Sequence, residues 1–494
     1  MPPSMPPDTS SANSTLPKTT HAPTVAIAGG GLAGLAAGCA LAEAGFHVSL
    51  FERRPYLGGR ASSYQHPGTG EIVDNCQHVL LGCCTNLLDF YRRAGVEDKI
   101  RWYEKLTFLE PGGRASVIAP SALPAPLHTA PAFLRADCLN FRDKMSIGRA
   151  MAALAPSTPG DRGESFLDWL KVHGQTERAI ERFWKTILVS ALNEDLDKVS
   201  VPYAAQVVRE SFLKSAAAGR MGIPTVPLTD LYSTAGDYIR ERGGEIQFRA
   251  SVESFRTAPF AVNVTTNGQE EKFDYLVLAV PFEVLGRMLP DSPAAAPLVA
   301  ALGEFSTSPI TGIHLWFDRQ ISDLDHAVLL DRTIQWMFHK SRLIAARESQ
   351  ARDNTNANGN GNSGGSYVEL VVSCSRSLVE KSKAEIVEMA MKEAQEFFPG
   401  APDAILLKST VIKEVHATYS PRPGIDQYRP RPTTAWPRVF LAGDWTATGW
   451  PATMEGAVRS GYLAADAVAR FAGSKSASFL VPDLAARGLM RLFG

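Results

Sequence analysis

The stretch Val25-Ala-Ile-Ala-Gly-Gly-Gly-Leu-Ala-Gly34 decides the fold of this chain. Its first four residues form a short apolar run of the kind found in buried strands, and its glycines follow the spacing G-x-G-x-x-G. A helix-forming segment continues from Leu32 to Ala44, and a second apolar run, His47 to Phe51, ends at Glu52, roughly twenty residues further on. The stretch therefore predicts a strand, a tight turn, a helix and a second parallel strand.

This arrangement predicts a dinucleotide-binding site. The first glycine permits the tight turn, the second lets the backbone approach a pyrophosphate, and the third packs the helix against the strand. Glu52 would accept hydrogen bonds from ribose hydroxyls and repel a 2'-phosphate. The residues of this motif expected to contact or shape the site are Gly29, Gly31, Leu32, Ala33, Gly34 and Glu52.

The composition of the 494-residue chain argues against several other classes of function. Fifty basic and fifty-one acidic residues give a net charge of -1, so no global field favours binding of a nucleic acid. The six cysteines never form a C-x-x-C pair, so we expect neither a disulfide framework nor a metal site. Residues 1–22 are rich in Pro, Ser and Thr without an apolar signal segment, which predicts a disordered tail and a cytoplasmic protein.

Strand-turn-helix patterns that lie far apart in the chain indicate two domains. Strand-like runs occur at Glu245–Phe248, Phe273–Val280 and Arg438–Ala442, and a helix follows over Met454–Phe471. We therefore predict an α/β protein whose Rossmann-like domain is discontinuous, with a second, mixed β-sheet and helical domain for the substrate. The predicted ranges are 23–105, 225–303 and 430–472 for the first domain, 106–224 and 304–429 for the second, about 134–215 for its helical part, 348–366 for a flexible loop, and 473–494 for a C-terminal tail.

Four further motifs resemble the FAD-dependent amine oxidase and carotenoid desaturase superfamily. They are Glu52-Arg53, Leu57-Gly-Gly-Arg-Ala61, Gly443-Asp-Trp445 and Met454-Glu-Gly-Ala457. The resemblance implies bound FAD and the two-domain fold of amine oxidases and phytoene desaturases. It places Arg60 at the pyrophosphate, Asp444 at the ribityl-phosphate portion, and a main-chain group near Met454 at the flavin pyrimidine edge. The cofactor residues implied in this way are Arg53, Gly59, Arg60, Val252 (through its backbone, at the adenine), Gly443, Asp444, Thr453 and Met454.

The segment from Asp74 to Tyr91 is the most informative part of the chain within this superfamily. Asp74-Asn-Cys-Gln-His-Val-Leu-Leu-Gly82 and Thr85-Asn-Leu-Leu-Asp-Phe-Tyr91 resemble hydroxysqualene dehydroxylases, also called squalene-associated FAD-dependent desaturases. The resemblance implies reductive removal of the hydroxyl of hydroxysqualene to give squalene, in squalene and hopanoid biosynthesis. A carotenoid or polyprenoid desaturase is the main alternative, followed by an amine oxidase and by a non-catalytic flavoprotein that binds polyprenoids.

Two segments of the sequence bear on these alternatives. Amine oxidases of this fold often hold a water near flavin N5 with a lysine, and the corresponding segment, Thr307 to Asp318, contains no lysine. Some also attach flavin to a cysteine just ahead of the terminal helix, where this chain reads Trp450-Pro-Ala-Thr-Met454. We therefore expect noncovalent FAD.

His78 and Asp74 are the candidate catalytic residues. Hydroxide is a poor leaving group, so a dehydroxylation needs an acid, and we expect His78 to be able to carry a positive charge near neutral pH. The alternative is structural: His78 would orient its loop by bonding to a backbone carbonyl, and Asp74 would cap a turn.

The implied substrate is a long apolar isoprenoid, which predicts a long apolar tunnel. Candidate tunnel residues lie in Ala119–Phe133 and at Phe183, Trp184 and Phe212. Because such a substrate partitions into lipid, we expect peripheral contact with the inner face of the cytoplasmic membrane, with Phe479–Phe493 as a short amphipathic helix. A core-packed or disordered tail is the alternative, since Pro482 and Gly488 weaken that helix. The reaction also requires an electron donor, which the sequence leaves open, as it does the oligomeric state.

Overall fold

The computed structural model describes residues 22–344, 365–474 and 478–493. Its strands are β1 (Thr24–Ala28), β2 (His47–Glu52), β3 (Ser63–Gln65), β4 (Ile72–Asp74), β5 (Leu80–Leu81), β6 (Ile100–Tyr103), β7 (Leu106–Leu109), β8 (Ala115–Ile118), β9 (Met221–Pro224), β10 (Glu245–Phe248), β11 (Val252–Ala258), β12 (Ala261–Thr266), β13 (Gln269–Phe273), β14 (Tyr275–Leu278), β15 (Thr307–Phe317), β16 (His326–Leu329), β17 (Trp336–Phe338), β18 (Ser366–Ser373), β19 (Leu406–Tyr419) and β20 (Val439–Leu441). Its helices are α1 (Leu32–Glu43), α2 (Thr85–Arg93), α3 (Ala130–Arg135), α4 (Phe141–Leu154), α5 (Phe166–Val172), α6 (Glu177–Ala179), α7 (Thr186–Leu192), α8 (Val201–Val208), α9 (Leu228–Arg240), α10 (Phe282–Leu285), α11 (Ala296–Gly303), α12 (Lys383–Phe397) and α13 (Met454–Phe471). The predicted disordered tail and flexible loop lie almost entirely outside the described residues.

Five parallel strands carry the glycine-rich turn, in the order β10-β2-β1-β14-β20. β1 lies in the middle and pairs with β2 and β14, so the turn after it opens at the centre of the sheet edge. Helix α1 is buried from Leu32 to Ala42 because it also packs against α13. A Cβ at Gly461 of α13 would lie 2.3 Å from the carbonyl oxygen of Ala33, so the two helices need a glycine at this crossing.

The three segments predicted to share the first domain all contribute strands to this sheet. β1 and β2 come from the first segment, β10 and β14 from the second, and β20 from the third. The predicted boundary near residue 105 cuts through a small sheet, because β5 and β6 both pair with β9 of the neighbouring segment. The two predicted domains therefore both contribute strands to this small sheet.

A seven-stranded mixed sheet forms the second layer, in the order β19-β15-β18-β17-β16-β7-β8. Its strands pair antiparallel, except for the parallel pair of β16 and β7. Helix α12 packs against one face of this sheet, around a core that contains Phe317, Leu370 and Phe397. The residues of the central strands β15 and β18 are nearly all buried, so most polar side chains on these strands lie inside the protein.

Side-chain caps define the helical part of the second domain. Ser165 is the N-cap of α5 and accepts a hydrogen bond from the backbone N–H of Asp168 at 3.2 Å. Thr176 caps α6 through the N–H of Ala179 at 3.1 Å. The helical stretch that follows Thr176 and ends at Leu192 is interrupted by a π-helical turn at Ile180–Lys185. This turn shifts the register between α6 and α7.

The C-terminal tail is packed against the protein instead of forming the amphipathic helix considered above. Residues 478–487 are irregular, and a single 3-10 turn follows at Gly488–Leu492. Backbone bonds fasten this tail: the N–H of Val481 donates to Asn86, and the N–H of Arg487 donates to the carbonyl of Lys214. Met490 is buried in the main core. Within the described ranges, no helix is both long enough and apolar enough to cross a bilayer.

Candidate active site

One continuous cavity of about 540 Å³ runs from the glycine-rich turn into the helical part of the second domain. Its first end is lined by the loops at the carboxyl edge of the parallel sheet, where ligands bind in open α/β sheets. Its other end lies among α7, the turn after α8, and strands of the second sheet. The residues at that second end, called the apolar chamber below, include Ile187, Ala191, Val207, Phe212, Val328 and Trp336.

Most of the predicted cofactor residues line the first end of this cavity, although their individual roles stay predictions. These lining residues are Gly29, Gly31, Leu32, Ala33, Glu52, Arg53, Gly59, Arg60, Val252, Gly443, Asp444, Thr453 and Met454. Gly34 lies beneath the surface instead, where a Cβ would approach the carbonyl oxygen of Gly29 to 1.9 Å. Its place agrees with the packing role that the spacing assigns to the third glycine.

Two glycine loops meet at the start of α1. Gly31 precedes this helix, and among the described residues no side chain caps its first turn. Gly59 has a φ of +62°, and a Cβ there would lie 2.9 Å from the Cα of Gly31. The backbone N–H groups of the first turn of α1 are therefore free to bind an anion. The two glycines, Gly31 and Gly59, keep side chains away from them.

Glu52 ends β2 with a buried carboxylate that faces the same turn. Its Oε2 accepts a hydrogen bond from the N–H of Gly30 at 2.7 Å, and its Oε1 accepts one from the N–H of Arg54 at 2.7 Å. Each carboxylate oxygen can accept a second hydrogen bond. The carboxylate is thus held in place by the backbone and can still receive two hydroxyls.

Arg60 and Asp444 form an ion pair that spans the cofactor end of the cavity. The guanidinium donates to Asp444 Oδ1 at 2.7 Å and to the carbonyl of Ala417 at 2.6 Å. Both side chains line the cavity, and they come from opposite ends of the chain. The pair therefore connects the loop after β2 with the loop after β20.

His78 lies in the cavity wall with one ring nitrogen already engaged. Its Nδ1 is 2.7 Å from the carbonyl oxygen of Cys76, so Nδ1 carries the proton and Nε2 is the acceptor of a neutral ring. Burial lowers the pKa of His78 below its ordinary value. The expectation of a cationic His78 near neutral pH is therefore wrong, because the desolvated site favours the neutral form.

Asp74 does not line the cavity, although it lies only four positions before His78. Its carboxylate accepts hydrogen bonds from Lys340 Nζ at 2.6 Å, Ser63 Oγ at 2.5 Å and the N–H of Leu228 at 3.3 Å. Burial alone would raise the pKa of Asp74, but Lys340 and these hydrogen bonds hold it below its usual value. An ionised, fully engaged carboxylate is a poor proton donor, so this geometry supports the structural alternative for Asp74.

A buried ionic cluster of Asp74, Lys340 and Glu369 supports the loop that carries His78. Lys340 Nζ also donates to Gln77 Oε1 at 2.7 Å and lies 3.9 Å from Glu369 Oε2. Glu369 is fully buried, and neither carboxylate oxygen has a hydrogen-bond partner among the described residues. Burial raises the pKa of Glu369 to about 8, so it holds a proton at neutral pH.

Sequence reasoning missed Lys340 and Glu369 as part of the site. The available signal was the charged residue Glu369 within the apolar strand Tyr367–Ser373, since a carboxylate in a buried strand needs a partner. Lys340 gave no local signal, because its partner Asp74 is 266 positions away in the chain.

Of the residues predicted for the tunnel, Phe212 alone lines the apolar chamber. Trp184 is buried in the core, and Phe183 packs against Phe133 and Trp184. The segment Ala119–Phe133 does not contribute to the lining. In this segment the carbonyl oxygen of Ala125 instead accepts a hydrogen bond from the N–H of Leu489 in the C-terminal turn.

The sequence pattern of flavin-containing amine oxidoreductases matches residues 32–469. The chain belongs to this family. Its relatives include a 15-cis-phytoene desaturase of Synechococcus elongatus, 29% identical over 90% of this chain and 95% of that protein. A zeta-carotene desaturase of Synechocystis is 25% identical over 90% of this chain and 96% of that protein. These relatives are carotenoid desaturases, so the similarity found here favours the desaturase alternative over the hydroxysqualene dehydroxylase assignment.

Two solved structures are similar to this chain in fold. An oxidoreductase of Methanosarcina mazei has a TM-score of 0.67 at 18% identity, covering 90% of this chain and 99% of the other. Cyclohexylamine oxidase of Brevibacterium oxydans has a TM-score of 0.64 at 17% identity, covering 92% of this chain and 100% of the other. At these identities the likeness concerns the fold alone.

FAD is the cofactor of this family, and the residues of this flavoprotein fit it. The uncapped first turn of α1, between Gly31 and Gly59, is suited to a pyrophosphate. Glu52 holds its carboxylate toward the same turn, as a ribose requires. Thr453 caps α13 through the N–H of Gly456 at 3.1 Å, so the positive end of this helix starts at the cavity wall.

Proposed function

We propose that this FAD-dependent oxidoreductase desaturates a long apolar isoprenoid. The proposal is supported by the two carotenoid desaturases, which match this chain over nearly their whole length. It is also supported by the continuity of the cavity, which joins the FAD residues to the apolar chamber without an intervening wall. A long hydrocarbon has no charge to bind, so burial of apolar surface must provide its recognition.

The observation that carries the proposal is the hydrogen bond between Nδ1 of His78, in the cavity wall, and the carbonyl oxygen of Cys76. When bound, FAD supplies the hydride acceptor for such a reaction. The second hydrogen leaves as a proton and needs a base in the cavity wall. His78 offers this base, because its Nδ1 donates to Cys76 and its Nε2 keeps a free lone pair. The lowered pKa keeps the ring unprotonated at neutral pH.

Lys340 and Asp74 would position this base without touching the substrate. Lys340 binds Gln77, the neighbour of His78, and the amide of Gln77 donates to the carbonyl of His78 at 3.0 Å. Asn75 ties the other side of the loop to the carbonyl of Arg60 at 3.1 Å. The loop is thus fixed between the buried ionic cluster and the FAD residues, which limits the directions available to Nε2.

Reductive dehydroxylation of hydroxysqualene is a second candidate, favoured by the position of the segment that resembles those enzymes. Residues Asn75 to Leu81 form a continuous part of the cavity wall. This reaction needs a proton donor, and neutral His78 is poorly suited to that role. Glu210 also lines the cavity, and burial raises its pKa although Lys214 pairs with it at 2.7 Å. Glu210 is therefore the candidate acid for the dehydroxylase.

Anaerobic single turnover tests both candidates with the same holoenzyme. For the desaturase, oxidised holoenzyme mixed with phytoene should lose its flavin absorbance at the rate at which a new conjugated double bond forms. Substitution of the base, His78→Gln, should slow this step about 10²- to 10⁴-fold without loss of bound FAD. If phytoene leaves the oxidised flavin unchanged while hydroxysqualene reoxidises the photoreduced enzyme with formation of squalene, the desaturase proposal fails.

We also propose that FAD is held noncovalently. The segment Trp450-Pro-Ala-Thr-Met454 contains no cysteine ahead of the terminal helix. Acid precipitation of the holoenzyme should leave the flavin in the supernatant, and a yellow pellet would contradict this proposal.

A further inference from the structure

Exposed apolar side chains cluster where the C-terminal turn meets the loop before α3. Leu492 is 78% exposed and Leu489 is 48% exposed, whereas Met490 between them is buried. This turn is fastened to the loop, because the N–H of Leu489 donates to the carbonyl of Ala125 at 2.8 Å. The exposed apolar residues of the two segments, called the docking patch below, are Leu123, Leu127, Leu489, Leu492 and Phe493.

The charged residues of the two segments that carry the docking patch are all basic. The loop and helix from 121 to 135 and the tail from 484 to 493 contain Arg135, Arg487 and Arg491 and no aspartate or glutamate. All three arginines are exposed. The chain as a whole is nearly neutral, with a net charge of -1, so this concentration of positive charge is local.

We propose that the docking patch binds the surface of an anionic lipid bilayer. Apolar side chains on a short turn can enter the boundary between headgroups and acyl chains, while arginines beside them bind anionic headgroups. A protein partner would need a complementary acidic surface of its own, whereas an anionic bilayer supplies both the apolar layer and the negative charge. The proposal rests on this surface and is independent of the substrate proposed above.

The docking patch adjoins the rim of the cavity through two contacts. The N–H of Arg487 donates to the carbonyl of Lys214, whose side chain pairs with the cavity residue Glu210. Leu484, at the start of the same tail, packs on Cys83 and Trp450, which also line the cavity. A bilayer at the docking patch would therefore lie next to the end of the cavity that contains the apolar chamber.

Flotation of the FAD-loaded full chain with vesicles tests this proposal. The protein should float with vesicles of phosphatidylcholine and phosphatidylglycerol, and less with phosphatidylcholine alone. The double variant Leu492→Ser/Phe493→Ser should lower the bound fraction about tenfold or more on both lipids. Arg487→Gln/Arg491→Gln should lower binding about tenfold on the anionic vesicles alone.

A matched control replaces exposed apolar residues outside the docking patch. Phe260 is 70% exposed and Ile405 is 62% exposed, so Phe260→Ser/Ile405→Ser changes exposed apolar surface of similar size and should float like the wild type. All variants should keep their flavin content and thermal midpoint, because the replaced side chains are exposed. The proposal is overturned if the wild type does not float, if the serine variant of the docking patch floats equally well, or if that variant instead dissociates a dimer in size-exclusion chromatography.

Discussion

Replacement of Glu369 by glutamine is expected to remove a pH dependence of stability, so that the variant gains stability relative to the wild type as the pH rises. Glu369 is fully buried, and its pKa lies at about 8 in the folded protein against 4.5 for an ordinary glutamate. Between these values the folded chain holds a proton that the unfolded chain releases, so the free energy of unfolding falls with increasing pH. The slope is roughly 1.4 kcal/mol per pH unit. Glutamine has nearly the same shape and does not titrate, so the variant lacks this slope.

Urea unfolding at a fixed excess of FAD measures this difference. Between about pH 6 and pH 8 the free energies of unfolding of Glu369→Gln and wild type should move apart by roughly 2 to 3 kcal/mol, with the variant gaining. Glu393→Gln is the matched control, because Glu393 is also buried but its carboxylate accepts the N–H groups of Thr333 and Ile334 at 3.1 and 2.9 Å. This variant measures what the replacement of a buried glutamate by glutamine costs by itself. Parallel curves for Glu369→Gln and wild type would refute the reasoning.

Three further predictions concern the ionic cluster and the FAD residues. Lys340→Met leaves the buried carboxylate of Asp74 unpaired and should cost about 3 to 5 kcal/mol in urea unfolding, whereas Asp74→Asn/Lys340→Met should recover much of that loss. Gly59→Ala should reduce bound FAD, measured from the flavin absorbance of the purified protein, because its Cβ meets the Gly31 loop at 2.9 Å. Gly70→Ala, at a φ of +72° with no atom within 4 Å, carries the same backbone strain and should keep its FAD. Glu52→Gln should weaken FAD binding by about 1 to 3 kcal/mol in a titration of the apoprotein, because the amide nitrogen faces an N–H donor of Gly30 or Arg54.

Local sequence signals were sufficient for the parts of the fold that depend on backbone conformation and on helix ends. The glycine spacing after β1 predicted the turn, since only glycine tolerates a φ of +106° at Gly29 beside the carbonyl of Ala279. The terminal helix was predicted with the bounds that the structure has, Met454–Phe471. In both cases the residues that determine the structure are neighbours in the chain.

The parts that were not predicted depend on contacts between distant segments. The sequence around Lys340 shows no feature that connects it with Asp74, and only the folded second sheet brings the two together. The tail from Phe479 has the apolar content of an amphipathic helix, but Asn86, Lys214 and Ala125 satisfy its backbone in an irregular path. Pro482 and Gly488 already disfavour the helix, so these tertiary hydrogen bonds decide its conformation.

The hydrogen bond of His78 also gives a test of the direction of proton transfer. Because Nδ1 is committed to the carbonyl of Cys76, only Nε2 can exchange a proton with a substrate. Because the pKa of His78 is lowered, Nε2 carries no proton at neutral pH and becomes protonated only when the pH falls below that pKa. A desaturation that uses His78 as base should therefore slow on acidification, and a dehydroxylation that uses it as acid should accelerate. In His78→Gln the single-turnover rate should no longer change as the pH is lowered through this range. If the rate still changes as it does in the wild type, another group carries the titration, and Glu210 is the first residue to replace.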